Sequence, residues 1–305
     1  MAATKSRHIP VMLKEVLNAL QPKKGEVYVD ATFGNGGYTQ AILDFAACKV
    51  IALDRDPNVR IRANEIKNNY GERFEFRAGN FGDFAELVPE KINGVVFDIG
   101  VSSMQLDDAE RGFSFTKEAA LDMRMSCAGI SASDIVNSYG EKELADLIYA
   151  YGEERKSRQI AHKIVEYRQR KKITTTTELA EIIYQVIHKK SGEIDPATRT
   201  FQALRIAVND ELNELQNGLC SAASRLISGG RMVVVDFHSL EDRIVKNYFK
   251  ENGGKKIRIS KYATDLAENS NSMFSEVSKV LTPAAEELAQ NPRARSAKLR
   301  FAVRR

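Results

Sequence analysis

The chain has 305 residues, of which 43% are apolar and 28% charged, and this is the composition of a folded protein with one large domain or two ordinary ones. A small disulfide-stapled peptide, a collagen-like chain and a disordered chain are excluded. The 45 basic and 41 acidic side chains give a net charge of +4, which is too small a total to indicate a nucleic-acid partner by itself.

The three cysteines, Cys48, Cys127 and Cys220, are odd in number and too far apart for a C-x-x-C metal site or a disulfide framework. We therefore expect a reducing compartment and no metal. The chain start lacks the apolar stretch of a secretory signal, and no stretch elsewhere reaches the roughly 18 apolar residues that cross a bilayer. The expected location is cytoplasmic, and the alternative is a short organellar presequence, of which residues 5–7 are weakly typical.

The first hundred residues alternate between short apolar stretches and stretches with helical periodicity. The last of these apolar stretches is continuous, as in a strand that is buried on both faces. Because strand–helix–strand connections are right-handed, this order predicts a parallel sheet with helices on both faces. The predicted strands are 27–31, 49–53, 74–77 and 94–99, and the predicted helices are 38–45 and 59–70.

From residue 106 the strand pattern stops, and apolar side chains recur at helical spacing. A threonine run at 174–177 is placed to cap one of these helices. A long helical stretch follows Pro196, and the strand–helix pattern then resumes. Its predicted strands are 231–236, 255–259 and 297–303, with a helix at 240–249. We predict an α/β protein whose discontinuous sheet domain, residues 1–105 and 196–305, holds an all-helical insertion for substrate recognition, residues 106–195.

A glycine-rich turn, Gly34-Asn35-Gly36-Gly37, lies between the first predicted strand and its helix. Free N–H groups at a helix N-terminus favour a polar or anionic ligand at such a place. The dinucleotide pattern G-x-G-x-x-G fails, since position 39 is threonine. The acid-x-x-x-G-x-G-G form, which begins at Asp30, is closer to the glycine loop of S-adenosylmethionine-dependent methyltransferases. A tight turn without a ligand is the alternative.

Two further side chains support the binding of a nucleoside. Asp54 ends the second predicted strand, where a carboxylate can accept hydrogen bonds from a ribose diol. Phe81, just beyond the third strand, can contact an adenine ring. Capping of the strand end is the alternative for Asp54, and a place in the core is the alternative for Phe81. Together, the turn and Asp54 predict an adenosine-containing cofactor.

Two candidate catalytic residues, Asp98 and His238, follow apolar strands at the edge where α/β sheets bind ligands. An unpaired buried carboxylate is costly, so we expect Asp98 to meet a polar ligand. A carboxylate that accepts from an exocyclic base amine would help this poor nucleophile attack a methyl donor. A purely structural role is the alternative for each residue. Methylation at C5 of a pyrimidine would need a thiolate, and no cysteine follows these strands.

The chain resembles the RsmH (MraW) methyltransferases, which methylate N4 of a cytosine in the decoding region of small-subunit ribosomal RNA. The matching blocks run in order from residue 8 to residue 300 and are too long to match by chance. They are His8-Ile-Pro-Val-Met-Leu, Asp30-Ala-Thr-Phe-Gly-Asn-Gly-Gly, Asp54-Arg-Asp-Pro, Asp98-Ile-Gly-Val-Ser-Ser, residues 105–115, residues 121–125, Tyr151-Gly-Glu-Glu, residues 196–206, Phe237-His-Ser-Leu-Glu-Asp-Arg and residues 291–300.

The resemblance implies a Rossmann-like S-adenosylmethionine-dependent methyltransferase sheet with an inserted all-helical domain. It implies S-adenosyl-L-methionine as cofactor and small-subunit ribosomal RNA, or the small ribosomal subunit, as partner, with no membrane and no metal. The cofactor contacts that it adds to the glycine turn are Tyr38, Asp54, Phe81, Asp98 and Gln105. Asp98 would then serve both cofactor and target amine. The alternatives are another RNA or DNA amino methyltransferase and a non-catalytic rRNA-binding assembly factor.

Four positions depart from the pattern of the family. Tyr38 and Asp195 stand where histidine is usual, Met104 where proline is usual, and Asp236 where serine is usual. We expect Tyr38 to contact the cofactor through its backbone or its hydroxyl. We expect Met104 to make the loop of Gln105 less rigid, Asp195 to weaken a phosphate contact, and Asp236 to add negative charge near the RNA path.

Basic side chains concentrate in two stretches. Residues 153–172 contain eight basic and three acidic side chains, and residues 291–305 contain six basic side chains and no acidic one. For an RNA substrate they predict phosphate contacts that weaken with salt, and a solvated helix face and a basic tail are the alternatives. Phe113 and Phe115 are candidates for stacking the cytosine, unless they lie in the core. The predicted RNA-binding residues are Arg168, Arg170, Lys171, Lys172, Arg293 and Arg295.

Overall fold

The computed structural model describes residues 10–189, 192, 194–253, 256–258, 266–268 and 272–305. The weakly presequence-like residues 5–7 lie outside this part of the chain. No helix within the described residues is both long and apolar enough to cross a bilayer. The chain divides into two compact units, the first formed by residues 1–100 and 212–305 and the second by residues 101–211.

The helices and strands follow one another in chain order. The first half contains α1 (Leu13–Leu20), β1 (Val27–Asp30), α2 (Gly37–Phe45), β2 (Lys49–Asp54), α3 (Arg60–Tyr70), β3 (Phe74–Ala78), α4 (Phe84–Leu87), β4 (Ile92–Asp98), α5 (Ser103–Asp107), α6 (Ala132–Ser138) and α7 (Glu141–Gly152). The second half contains α8 (Ser157–Arg168), α9 (Thr176–Val186), α10 (Ala197–Asn209), α11 (Glu211–Arg225), β5 (Leu226–Asp236), α12 (Ser239–Asn252), β6 (Lys256–Arg258), β7 (Leu266–Glu268), β8 (Phe274–Val277), α13 (Ala285–Gln290) and β9 (Lys298–Arg304).

The first unit is built on a seven-stranded sheet in the order β3-β2-β1-β4-β5-β9-β8. The strands from β3 to β5 in this order are parallel, as predicted, and their carboxyl ends therefore lie at one edge. This confirms the α/β fold class. The final predicted strand, for which no pairing direction was predicted, is β9, and it runs antiparallel to both β5 and β8.

Alternating side chains of the sheet enter two separate cores. On β2, Val50 and Ala52 face one core with Val16 of α1 and Ile42 of α2. The intervening residues, such as Ile51, face the other core, which α4, α11 and α12 cover. Both faces are thus buried under helices, which explains why the central strands are continuous apolar runs.

Several short elements of the first unit were not predicted from the sequence. They are the strands β7 and β8 and the helices α1, α4 and α13, none of which is longer than eight residues. The predicted strand at 255–259 overlaps β6, and within the described part of the chain β6 pairs with β7 in a separate two-stranded sheet. Residues 255 and 259, at the ends of that prediction, lie outside the described residues.

The second unit is helical and has a core of its own. Leu144, Ile148, Ile164 and Ile183, from three successive helices, are fully buried there. The threonine run does cap a helix as predicted, since the Thr175 side chain accepts from the Glu178 N–H at the start of α9. This unit supplies the inserted all-helical part of the predicted fold.

Helix α10 belongs to the helical unit, whereas the sequence prediction placed it in the sheet domain. Phe201 and Leu204 enter the helical core. A Cβ atom on Gly152 of α7 would lie 2.5 Å from the Arg199 carbonyl oxygen, which shows how closely α7 and α10 approach. The buried Asn209 side chain also accepts from the Met125 N–H at 2.9 Å. The helical unit accordingly runs from residue 101 to residue 211, whereas the predicted insertion was 106–195.

Candidate functional site

The glycine turn joins the carboxyl end of β1 to the start of α2. The N–H of Gly34 donates to Oδ2 of Asp54 at 2.8 Å, and the N–H of Gly36 donates to the Phe33 carbonyl at 2.7 Å. Gly36 has φ +74°, and no side chain from the described residues caps α2. The turn therefore presents the uncapped N-terminus of a nine-residue helix, an arrangement that suits a polar ligand.

Packing is a second reason for glycine in this turn. A Cβ atom on Gly36 would lie 2.9 Å from the Phe33 ring and would also strike Ile66, and one on Gly37 would strike Pro10. The backbone is thus held against the protein's own core. Glycine here serves the fold as well as any ligand that approaches the turn.

Replacement of Gly36 tests this double constraint. We expect Gly36→Ala to lower the free energy of unfolding by at least about 2 kcal/mol, because it combines a left-handed backbone with an overpacked contact. Gly25 is a matched control, since it has φ +79° and nothing within 4 Å of an added Cβ. Gly25→Ala should cost about 1 kcal/mol, from the backbone alone. Urea unfolding of both variants measures the difference, and equal losses would contradict the packing argument.

Asp30 is the buried anchor of the turn. Its Oδ2 accepts from the N–H of Thr39 at 3.1 Å and from Oγ1 of Thr39 at 2.7 Å, while Oδ1 accepts from the N–H of Thr32 at 3.3 Å. Burial, only partly offset by these hydrogen bonds, raises the pKa of Asp30 to about 6. Asp30 begins the acid-glycine motif but was not predicted as a site residue, because its contacts span the turn. It ties β1 to α2 and so fixes the turn.

Asp54 lies at the carboxyl end of β2, beside the same turn. One carboxylate oxygen accepts from the Gly34 N–H, and the other accepts from the Asp56 N–H at 2.8 Å. Burial raises the pKa of Asp54, although these hydrogen bonds oppose the effect. A carboxylate oxygen can accept more than one hydrogen bond, so Asp54 can also receive a diol. The predicted strand-end cap and the predicted ligand contact are therefore compatible.

Asp98 ends β4 next to β1. Its own N–H donates to Oγ1 of Thr32 at 2.7 Å, which fixes the strand end. Its Oδ1 is buried and has no hydrogen-bond partner among the residues that the structure describes. Burial, followed by the negative charges of Asp30 and Glu241, raises the pKa of Asp98 to about 8. An orphaned carboxylate oxygen at the ligand-binding edge of a sheet indicates that a donor or a cation belongs there.

Phe81 and Tyr38 are held by the protein itself. The Phe81 ring packs edge-on against Phe97, with centroids 5.7 Å apart, and belongs to the core beneath α11. The Tyr38 hydroxyl donates to the Val11 carbonyl, and its ring is almost completely buried. The hydroxyl is thereby directed toward Val11, so the backbone N–H of Tyr38 is the better candidate for a ligand contact. Phe81 is half-buried against this core, which supports its core alternative, and the adenine contact stays a prediction.

His238 caps α12 in the turn after β5. Its Nδ1 accepts from the N–H of Glu241 at 3.4 Å, and its Nε2 lies 3.0 Å from Oε1 of Glu241. The imidazole is nearly buried, with 10% of its side chain exposed. The structural alternative for His238 thus has clear support, while its place at the carboxyl end of β5 keeps it close to the edge that holds Asp98.

Two predicted positions have structural roles that the sequence did not reveal. Gln105, in the second unit, forms a reciprocal capping box with Ser102, which orders the loop beside Met104. Asp195 accepts from the N–H of Ala197 and pairs with Lys189 at 2.8 Å. The expected loss of rigidity at Met104 is therefore countered by the cap. The charge of Asp195 is partly neutralised by a neighbour.

Asp236 does not lie on an exposed RNA path. Its side chain is completely buried at the end of β5, and neither carboxylate oxygen has a hydrogen-bond partner in the described part of the chain. The expectation of added negative charge near the RNA is therefore wrong in its simplest form. Asp236 acts on the interior of the first unit.

The predicted RNA-binding residues differ in their availability. Arg168 donates to the carbonyls of Val136 and Tyr139 at 2.7 and 2.6 Å, so its guanidinium caps the C-terminal end of α6. Lys171 pairs with Glu178, and Arg170 lies 3.5 Å from Glu166. Lys172, Arg293 and Arg295 are exposed. The first basic stretch thus presents less positive charge to a ligand than its composition predicts.

The two aromatic candidates for stacking lie in the core of the second unit. Phe113 is 8% exposed, and the Phe115 ring packs edge-on against Phe201 with centroids 5.0 Å apart. Phe113 therefore takes its core alternative, while the half-buried Phe115 packs against the same core. The number of aromatic side chains in a stretch of sequence does not show which of them are packed in the core and which are exposed to a ligand.

Comparison with known proteins gives consistent matches across the chain. The sequence profile of the MraW methylase family matches residues 5–305. Two relatives named ribosomal RNA small subunit methyltransferase H, from Rickettsia massiliae and Rickettsia conorii, are each 56% identical over 298 residues, which is 97% of this chain and 97% of theirs. A solved rRNA methylase from Streptococcus thermophilus matches at 10% identity with a TM-score of 0.43, over 96% of this chain and 93% of its own.

Proposed function

This chain belongs to the MraW methylase family, and on that premise we propose that it transfers a methyl group from S-adenosyl-L-methionine to N4 of a cytosine in the decoding region of small-subunit ribosomal RNA. The observation that best supports the chemistry is the orphaned, buried Oδ1 of Asp98 at the carboxyl edge of the sheet. A methyltransferase needs a polar acceptor at the point where the amine reacts, and Asp98 provides one.

The residues of the first unit fit the proposed cofactor. S-adenosyl-L-methionine supplies an electrophilic methyl group on a positively charged sulfur. Asp54 has lone pairs for a ribose diol, and the N-terminus of α2 from Gly37 onward offers N–H groups to polar or anionic atoms. Asp98 offers a carboxylate oxygen to a cationic ligand. Gln105 stays a proposed contact, from the second unit.

Asp98 is the proposed acceptor for the amine proton. An exocyclic amine is a weak nucleophile because its lone pair is delocalised into the ring, and a carboxylate that accepts from it favours the pyramidal, reactive form. The new bond joins N4 to the methyl carbon as the carbon–sulfur bond breaks, and N4 then loses one proton. Asp98 must be ionised to receive it. A nearby positive charge lowers the raised pKa of this carboxyl and favours that form.

The proposed substrate is rRNA within the small ribosomal subunit, and the proposed location is the cytoplasm. Exposed basic residues in each unit, Lys172 in the second and Arg293 and Arg295 in the first, are the proposed phosphate contacts. Substrate recognition by the helical unit is part of the same proposal. His238 is retained as a catalytic candidate beside Asp98.

Methyl transfer into rRNA tests the function directly. Small subunits from a strain that lacks this protein are incubated with the purified chain and tritiated methyl donor, and the labelled nucleoside is identified by mass spectrometry. We expect N4-methylated cytidine at one site in the decoding region. Label at C5, in DNA or in another RNA would contradict the proposal and support a different methylase. Binding to the small subunit without methyl transfer would also contradict it and would support an assembly factor.

Variants of the basic stretch separate RNA contact from fold stability. Lys172→Ala should weaken RNA binding and reduce the slope of log K against log salt by about 1, without loss of stability. Arg168→Ala should instead lower the free energy of unfolding by about 1–2 kcal/mol, because it removes two hydrogen bonds to the end of α6. Filter binding across a salt series and urea unfolding measure the two effects. A reduced salt slope for Arg168→Ala with unchanged stability would reverse these assignments.

A further inference from the structure

Glu241 is a completely buried acid in the first turn of α12. Its Oε2 accepts from the N–H of Phe237 at 3.0 Å and from the N–H of His238 at 3.2 Å. These bonds tie the turn after β5 to the helix. Each needs only an oxygen acceptor, so the turn alone would be equally well served by an amide side chain.

The same residue also contacts both nitrogens of the His238 ring. The backbone N–H of Glu241 donates to Nδ1, and its Oε1 lies 3.0 Å from Nε2. The first contact is a hydrogen bond that limits the rotation of the ring, whereas Nε2 and Oε1 lie close together without forming a hydrogen bond. Glu241 therefore determines how His238 is presented at the end of β5.

Glu241 further acts on Asp98 across the strand edge. β4 and β5 are paired up to their ends, where Asp98 is in register with Val235 and the Ile99 N–H donates to the Val235 carbonyl at 2.9 Å. The turn that holds Glu241 begins one residue after β5. The negative charge of Glu241 contributes to the raised pKa of Asp98, after burial and Asp30.

Charged and titratable groups from several elements face these two acids. Around Asp98 they are Asp30 from β1, Tyr38 from α2 and Glu241 from α12. Around Glu241 they are His238, Asp98 and, from the end of β5, Asp236. Asp242 lies next to Glu241 in sequence and raises the pKa of Asp236. The carboxylate of Asp242 is paired with Lys298 and Arg300 of β9. Glu241 is thus the α12 acid whose charge reaches Asp98.

We propose that Glu241 is a positioning residue for methyl transfer, which orients the ring of His238 and holds a carboxyl group at the strand edge that carries Asp98. The inference rests on the function proposed above. In this arrangement Asp98 stays neutral while the site is empty of positive charge, and it becomes the proton acceptor when a cationic ligand is present. Glu241 itself contacts neither the cofactor nor the base.

Glu241→Gln isolates the charge from the hydrogen bonds. Its amide oxygen keeps an acceptor for the two N–H groups, so thermal stability should stay close to that of the wild type. Because one like charge beside Asp98 is gone, the acidic limb of the pH profile of kcat/KM should move to lower pH by roughly one unit. Glu241→Asp keeps the charge and shortens the reach to His238, so it should lower kcat and leave the limb in place.

Asp242→Asn is the matched control, since it removes a charge from the same helical turn without facing Asp98. Its acidic limb should coincide with that of the wild type. If the wild type transfers no methyl group to rRNA, the proposed function fails. If the wild type is active but Glu241→Gln leaves the limb unmoved, or Glu241→Asp moves it equally, the role of Glu241 is overturned and the proposed function is not.

Discussion

Asp98→Asn is expected to lower kcat/KM for methyl transfer by roughly 10²–10⁴-fold, the range in which a positioned proton acceptor contributes to catalysis. The amide has nearly the same shape, but it cannot be ionised and does not take the amine proton. The loss should appear in kcat more than in KM, because the carboxylate acts mainly after the base is bound. Single-turnover methyl transfer at saturating cofactor measures it.

The same substitution should not destabilise the fold. The pKa of Asp98 is about 8 in the folded protein, against the ordinary value of 3.8 that holds in the unfolded chain. Burial is the largest cause of this difference. A raised carboxyl pKa gives stability that is complete below pH 3.8 and is lost as the pH rises through 8. Asp98→Asn removes that dependence, so thermal unfolding at pH 8 should occur at the wild-type temperature or above.

Asp83→Asn serves as the control for Asp98→Asn, since Asp83 is an exposed carboxylate of the same unit. It should keep full activity and wild-type stability. If Asp98→Asn retains methyl transfer within a factor of three, the proton acceptor lies elsewhere. If it loses activity only through unfolding, the orphaned oxygen has a structural role instead.

Much of the fold was predictable because the parallel strands are local apolar runs bounded by turns. Asp98 and Asp54 were also predictable, since each is a carboxylate at the end of such a run. The antiparallel strands β8 and β9 were not predicted as such, because pairing direction depends on connections that side-chain periodicity does not encode. Helix α10 was predicted in the sheet domain but lies in the helical unit. Its apolar face could pack against either core, and the sequence does not show which helices it contacts.

The candidate site was less predictable where function depends on contacts between distant residues. Arg168 resembles a phosphate contact in a basic stretch, yet its acceptors, the carbonyls of Val136 and Tyr139, lie 32 and 29 residues earlier. Glu241 resembles one acid of a polar cluster, and its link to Asp98 exists only because β4 and β5 are neighbours. A sequence gives the chemistry of each side chain but not the partners that neutralise or orient it.

The free energy of unfolding of the Asp236→Asn variant, compared with that of the wild type, should become more favourable to the variant as the pH increases. Burial, with Asp242 and Glu241 next, raises the pKa of Asp236 to about 8, against the opposing effect of Lys298 and Arg300. The wild type therefore loses stability between pH 3.8 and 8, by at most about 1.4 kcal/mol per pH unit. The asparagine does not titrate, so the stability difference should grow by at least about 2 kcal/mol between pH 5 and pH 8.

Asp242→Asn should show the opposite pH dependence and so provides the control. Burial raises the pKa of Asp242, but hydrogen bonds from Lys298 and Arg300, at 2.8 to 2.9 Å, outweigh it and hold the pKa below its ordinary value. Such a carboxylate stabilises the fold above pH 3.8 and loses this effect as the pH falls through its lower folded value. The variant should therefore be destabilised at neutral pH and approach the wild type in acid.

The two variants together separate burial from ion pairing, because both acids lie near the same Lys298 and Arg300 of β9. Urea unfolding of the wild type and both variants from pH 2.5 to pH 8 gives the three curves, in which the Asp242→Asn difference should change below pH 3.8 and the Asp236→Asn difference above it. Opposite slopes for Asp236→Asn and Asp242→Asn mean that the two cations are already engaged by Asp242 and leave Asp236 as a neutral, buried acid. Parallel slopes would mean that Asp236 is ionised and shares the cations, in which case its burial at the end of β5 is compensated and carries no cost.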